Sequence, residues 1–134
     1  YGVQIGGQAA AGVVSEKPEL FGKLLVLQAL PGTQGIYGFL TAVLIMVRTG
    51  LLSGNPVALS AYQGWAFFVA ALPMAIVGLL SAISQGKAAV AAIHMTAKQP
   101  DSSAKGITMT ALVETYAILA LLVSVLLVFV GIPV

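Results

Sequence analysis

The chain has 134 residues, of which 59% are hydrophobic and 7% charged, with a formal net charge of +2 and a mean hydropathy of +1.02. Soluble domains carry about 25% charged residues, so a water-soluble globular domain is excluded, and the small net charge gives no basis for a nucleic-acid partner. The absence of cysteine excludes disulfide frameworks, Fe–S clusters and thiolate metal sites.

Residues 1–14 are small and apolar, and Gly2, Gly6 and Ala10 fall four apart on one helical face. In lipid, helices gain little from hydrophobicity against each other, so small residues that let backbones approach supply the contact. A polar loop, Ser15 to Glu19, leads into a second helix from Leu20 to Arg48, interrupted at Leu30-Pro31-Gly32. Pro31 cannot donate to the carbonyl of Leu27, and inside a membrane such a break persists only where protein or a bound ion satisfies the freed groups. Thr49 to Pro56 reads as a turn rich in Gly, Asn and Pro. A third helix is predicted from Ala61 to Ala97, running past Pro73, with Tyr62 and Trp65 near one interface and small residues four apart at Gly78, Ala82 and Gly86. The loop Lys98 to Ser103 precedes a fourth helix, predicted as one run from Lys105 to Gly131. Three stretches, Leu24–Val47, Trp65–Gly86 and Gly106–Val130, are long enough to cross a hydrocarbon core, which needs about 20 apolar residues.

Within the fourth helix Glu114 is the only charge between Gly106 and the end of the chain. An ionised side chain at mid-membrane costs roughly 2.5–3.5 kcal/mol on insertion scales, which makes it a functional residue by default.

The two halves repeat. A shift of 82 lays Lys17-Pro18-Glu19 on Gln99-Pro100-Asp101, Lys23 on Lys105, and Leu30-Pro31-Gly32-Thr33 on Leu112-Val113-Glu114-Thr115. Such duplication is the mark of a doubled hairpin. The expected organisation is therefore a first hairpin over 1–48, an extracytoplasmic linker over 49–60 and a second hairpin over 61–134. Residue 1 falls opposite Ile83, so the first helix is expected to lack its first half.

Thr33 and Gln34 follow Pro18 by 15 and 16 residues, Gln85 precedes Pro100 by 15, and Glu114 follows it by 14. At 1.5 Å per residue all four lie about 21–24 Å from the proline loops, near one plane. Lys17, Lys23, Lys98 and Lys105 flank those loops and only Arg48 marks the other end, so the positive-inside rule places both loops in the cytoplasm.

Glu114, Gln34, Gln85 and Thr33 supply oxygen acceptors, and Pro31 disturbs the carbonyls before it; a cage of oxygens suits a hard cation rather than zinc or copper. A single carboxylate balances a single positive charge, which leaves sodium or a proton. The two glutamines and the threonine at the carboxylate's depth favour sodium. Tyr37, one turn beyond Thr33, either donates its phenol hydrogen to the carboxylate or packs as an aromatic. Tyr116 faces elsewhere, and Lys87 and His94 lie toward the cytoplasmic end.

The segments Leu-Pro-Gly-Thr-Gln-Gly-Ile-Tyr at 30–37, Ser-Gln-Gly-Lys-Ala-Ala at 84–89 and Val-Glu-Thr-Tyr-Ala-Ile at 113–118, set in a duplicated hairpin, resemble the proteolipid rotor subunit, K or c, of V-type sodium-transporting ATPases. The resemblance covers nearly the whole chain and departs from the family at the N-terminus. It implies an all-α membrane protein with four transmembrane helices in two tandem hairpins, assembled into a homo-oligomeric c-type ring. It further implies sodium held by the Glu114 carboxylate, the side chains of Thr33, Gln34 and Gln85 and the backbone carbonyl of Leu30, with Tyr37 bonded to the glutamate. The implied partners are a membrane stator subunit, a central-stalk subunit at the cytoplasmic loops and the lipid of a cell membrane. ATP is hydrolysed on other subunits, so the chain itself is not catalytic. A proton-carrying ring, a stand-alone channel or small-solute transporter, and a structural scaffold are the competing readings.

Overall fold

Both hairpin turns are built on a proline, and they are built alike. In the computed structural model, which describes all residues from Tyr1 to Val134, Lys17 (φ −132°, ψ 72°) and Gln99 (φ −135°, ψ 83°) end one helix in the same extended bend. Pro18 and Pro100 then open short 3-10 turns, Pro18–Leu20 and Pro100–Ser102, where a residue lacking an N–H and held at a helical φ costs nothing. The hydrogen bonds match as well: Lys17 N–H to the Val13 carbonyl and Gln99 N–H to that of Met95 are both 2.8 Å, and Leu20 to Lys17 (3.1 Å) pairs with Ser102 to Gln99 (2.9 Å). Each pair is related by the 82-residue shift.

Six α-helices make up the rest: α1 Gly2–Glu16, α2 Phe21–Ala29, α3 Thr33–Arg48, α4 Ala61–Lys98, α5 Ser103–Leu112 and α6 Thr115–Leu126. A 3-10 turn, Leu30–Gly32, joins α2 to α3, and a π-turn, Leu127–Gly131, extends α6. Three helical stretches, Pro18–Arg48, Ala61–Lys98 and Pro100–Gly131, of 31, 38 and 32 residues, are long and apolar enough to cross a membrane. Large apolar side chains such as Phe39, Leu79, Leu112, Leu119 and Leu122 stand exposed, the inverse of a soluble surface. The chain is an all-helical membrane protein of tandem hairpins.

The fourth helix differs from the sequence expectation. It starts at Ser103 and is not one run, because Val113 and Glu114 form a turn between α5 and α6. No proline or glycine stands there. The interruption falls where the repeat places Leu30-Pro31-Gly32, so the duplicated backbone keeps its break in a copy that has lost the residue that usually causes one.

The chain divides into two compact units, Tyr1–Gln34 with Leu80–Thr115 and Gly35–Leu79 with Tyr116–Val134. In the first, Ala10, Leu20, Leu24, Leu27, Ala92 and Ile93 form the core. The small-residue stripe of α1 is its buried face, Gly2, Gly6 and Ala10, and it brings backbones together: a Cβ on Gly86 would lie 2.5 Å from the Gly2 Cα, and one on Gly2 would lie 2.6 Å from the Ala82 carbonyl oxygen. Only glycine fits either position.

In the second unit Phe67, Ala70, Val128 and Ile132 form one cluster and Met74, Ala117 and Ala120 another. Pro73 sits inside α4 without ending it. Proline disturbs the hydrogen-bond ladder around it, and in an apolar medium the displaced groups need substitutes. Here the Met74 N–H donates to the Ser124 hydroxyl at 3.1 Å, and Ser124 is fully buried. Ser124→Ala leaves that amide unpaired and is expected to cost about 1–3 kcal/mol, read as a lower unfolding midpoint of the detergent-solubilised protein. An unchanged midpoint would show that the amide has another partner. At the end of α3, Arg48 donates from Nη2 to the Ile132 carbonyl at 3.4 Å.

Candidate ion-binding site

The site lies in the first unit and starts from the two helix breaks. At the first, the hydroxyl of Thr33 donates to the Leu30 carbonyl at 3.0 Å and lies 3.3 Å from Gln34 Oε1. At the second, the amides of Val113 and Glu114 bond three residues back, to Thr110 (3.3 Å) and Ala111 (3.0 Å), in place of the regular four. The Thr115 hydroxyl donates to the Leu112 carbonyl at 2.8 Å, the repeat counterpart of Thr33 on Leu30. Each break is thus pinned by a threonine two residues after the proline or its equivalent.

Helix α4 bridges them with two polar side chains one turn apart, Ser81 and Gln85, both buried. Gln34 Nε2 donates to Gln85 Oε1 at 2.6 Å and to the Ser81 hydroxyl at 3.2 Å. Gln85 Nε2 in turn donates to the Thr110 carbonyl at 3.2 Å, and Ser81 donates to the Val113 carbonyl at 3.1 Å. Buried polar groups are stable only when paired, and these pair with one another around the broken segments. The Thr110 hydroxyl is the exception, a fully buried oxygen without a partner.

Of the residues expected from sequence, the structure brings together Leu30, Thr33, Gln34 and Gln85. Glu114 is half-buried in the turn next to Val113. Tyr37 belongs to the second unit, where its ring packs against the cluster of Met74, Ala117 and Ala120. Tyr116 is exposed, as are Lys87 and His94. Ser81 and the backbone carbonyls of Thr110 and Val113 were not anticipated. The signal for Ser81 was available, since it stands four residues before Gln85 on the same helical face; that for the two carbonyls was not, because it depends on the break at Val113-Glu114.

The arrangement is rich in oxygen and poor in charge. No group of three His, Cys, Asp or Glu side chains is present, so nothing here resembles a transition-metal centre. A hard cation of calcium's size holds oxygens at about 2.3–2.6 Å, and ligands at right angles around it lie roughly 3.3–3.7 Å apart. The Leu30 carbonyl, Thr33 hydroxyl and Gln34 amide oxygen, with spacings of 3.0 and 3.3 Å, already approach that geometry. Each carbonyl and hydroxyl oxygen that accepts one hydrogen bond keeps a second lone pair, so the network can stay bonded and still face a cation.

Residues 1–45 and 68–127 match the ATP synthase C-subunit family. The chain is 49% identical over 127 residues to the V-type sodium ATPase subunit K of Enterococcus hirae, covering 95% of this chain and 78% of that one. It is 42% identical over 126 residues to the A-type ATP synthase subunit K of Methanocaldococcus jannaschii, covering 94% of this chain but only 52% of the relative, so it spans about half the length of that protein. Matched in both hairpins and along nearly its whole length, the chain belongs to the ATP synthase C-subunit family.

Proposed function

We propose that the chain is an ion-translocating rotor-ring subunit in the membrane sector of a V-type ATPase or ATP synthase, and that Glu114 carries sodium as the ring turns. The observation that carries the reading is the buried polar network in which Gln85 of α4 accepts from Gln34 at 2.6 Å and donates to the Thr110 carbonyl, four residues before the only carboxylate of the last two helices. The sodium ATPase relative supports the choice of ion.

In this reading Glu114, Gln85, Gln34, Thr33 and the Leu30 carbonyl form the cage. The helix breaks present carbonyl oxygens to the ion, while the Gln34–Gln85 bond holds two ligand amides in register before it arrives and so reduces the ordering cost of binding. A bound cation cancels the Glu114 charge, and the neutral pair crosses lipid without the penalty of a bare carboxylate. A stator subunit exchanges the ion, a central-stalk subunit holds the two proline loops on the cytoplasmic side, and ATP chemistry belongs to other subunits.

Dicyclohexylcarbodiimide attacks protonated carboxyls in apolar surroundings. It is expected to label Glu114 selectively, with sodium protecting, as read by peptide mass mapping. Labelling that sodium never changes would replace sodium with the proton as cargo. Equal labelling of Glu16 or Glu19, both exposed beside the first proline turn, would remove Glu114 as the carrier. The mass of the detergent-solubilised assembly tests the ring: a single chain or a pair would favour a stand-alone channel.

A further inference from the structure

The first proline turn grips the second. Lys17 donates from Nζ to the Ala97 carbonyl near the end of α4, and Lys23 donates from Nζ to the Pro100 carbonyl at 3.1 Å. The Ala97 carbonyl lies in the last turn of α4, where carbonyls lack intrahelical partners and carry partial negative charge, so an ammonium is a suitable cap. The Pro100 carbonyl, at the head of its 3-10 turn, accepts from the Ser103 N–H and meets Lys23 with its second lone pair. The grip runs one way, from first hairpin to second.

The 82-residue shift turns that asymmetry into a residue-level expectation. It takes the donors Lys17 and Lys23 to Gln99 and Lys105, and the acceptors Ala97 and Pro100 to Ser15 and Pro18. All four counterparts are exposed in the single chain. The turns that carry them share backbone angles to within about 11°, so the acceptor carbonyls of the first turn are disposed like those already used in the second. Gln99 Oε1 accepts from the Ser102 hydroxyl at 3.2 Å, which leaves its amide hydrogens as donors.

Resting on the rotor-ring reading, we infer that these exposed groups form the cytoplasmic clasp between neighbouring copies of this chain. Lys105 Nζ donates to the Pro18 carbonyl of the next copy, and the Gln99 amide donates to that copy's Ser15 carbonyl. First hairpin holds second within a chain and second holds first between chains, so the same contact recurs at every step around the ring.

Because the chain has no cysteine, paired cysteine variants report cleanly. Pro18→Cys with Lys105→Cys, treated in the detergent-solubilised assembly with a short bismaleimide, is expected to give a ladder of covalent multimers on a denaturing gel. Lys23→Cys with Pro100→Cys is expected to close within one chain and give no ladder. An assembly that keeps ring mass while the 18/105 pair stays monomeric and the 23/100 pair closes overturns the clasp and leaves the ring intact. A solubilised mass of one chain overturns the ring itself. Should Pro18→Cys fail to fold, Lys105→Met serves instead. It is expected to lower the temperature at which the assembly dissociates into chains, and Lys87→Met, at an exposed lysine on α4, is expected not to. Equal effects of the two methionine variants would overturn the clasp.

Discussion

Glu114→Gln is expected to abolish saturable sodium binding while leaving the helices in place. Glutamine keeps the shape of the side chain and one of its oxygens, so packing around the half-buried position changes little and the difference is the negative charge. The remaining candidate ligands, from Leu30, Thr33, Gln34 and Gln85, are all neutral. A cation entering them would have to be carried as a net positive charge at mid-membrane. At roughly 2.5–3.5 kcal/mol for a charged side chain at that depth, affinity falls at least about 70- to 400-fold. The measurement is radioactive sodium binding to the purified protein, beside circular dichroism to show that helix content is kept. Affinity within tenfold of the parent would mean that another group supplies the charge.

Gln85→Ala comes next in size. Gln85 is completely buried, 29 residues from Glu114 in sequence, and engaged at both ends of its amide. Truncation removes one oxygen from the cage, takes from the Thr110 carbonyl one of its two donors and leaves Gln34 Nε2 with the Ser81 hydroxyl alone. Leaving buried polar groups unpaired costs about 1–3 kcal/mol, or roughly 5- to 150-fold in sodium affinity. Helix content should persist, because the α1 and α2 contacts do not pass through this side chain. Unchanged affinity would reduce the cage to groups from the two broken helices.

Much of this was legible in the residues. The stripe Gly2, Gly6, Ala10 became the buried face of α1 because four-residue spacing is a helical geometry and small size is a packing requirement, both visible in the letters. Pro31 announced its break for the same kind of reason. The break at Val113-Glu114 is invisible to local propensity, since nothing in Leu-Val-Glu-Thr resists helix. Repeat register carries it instead: the copy inherits a backbone shape, pinned by Thr115 as Thr33 pins the first. Counting residues from the prolines gave depth along the helix axes and said nothing of rotation about them. The Gln34–Gln85 bond therefore came from the fold, as did the part played by Ser81, although that residue lies one turn from Gln85 on the same face.

The duplication has kept its backbone and halved its chemistry. At the repeat position of Glu114 the first hairpin carries Gly32, where an added Cβ would lie 3.2 Å from a methyl of Val3. A wheel assembled from such chains has one charge carrier for every four helices, so on the proposed reading a wheel of given circumference moves half as many ions per revolution as one with a carboxylate in every hairpin. The same work per revolution is then divided among fewer ions, and each can be driven against a steeper electrochemical gradient. On that reading, one carboxyl group per chain in place of two acts as a change of gear, trading ions moved per turn for the force available to each.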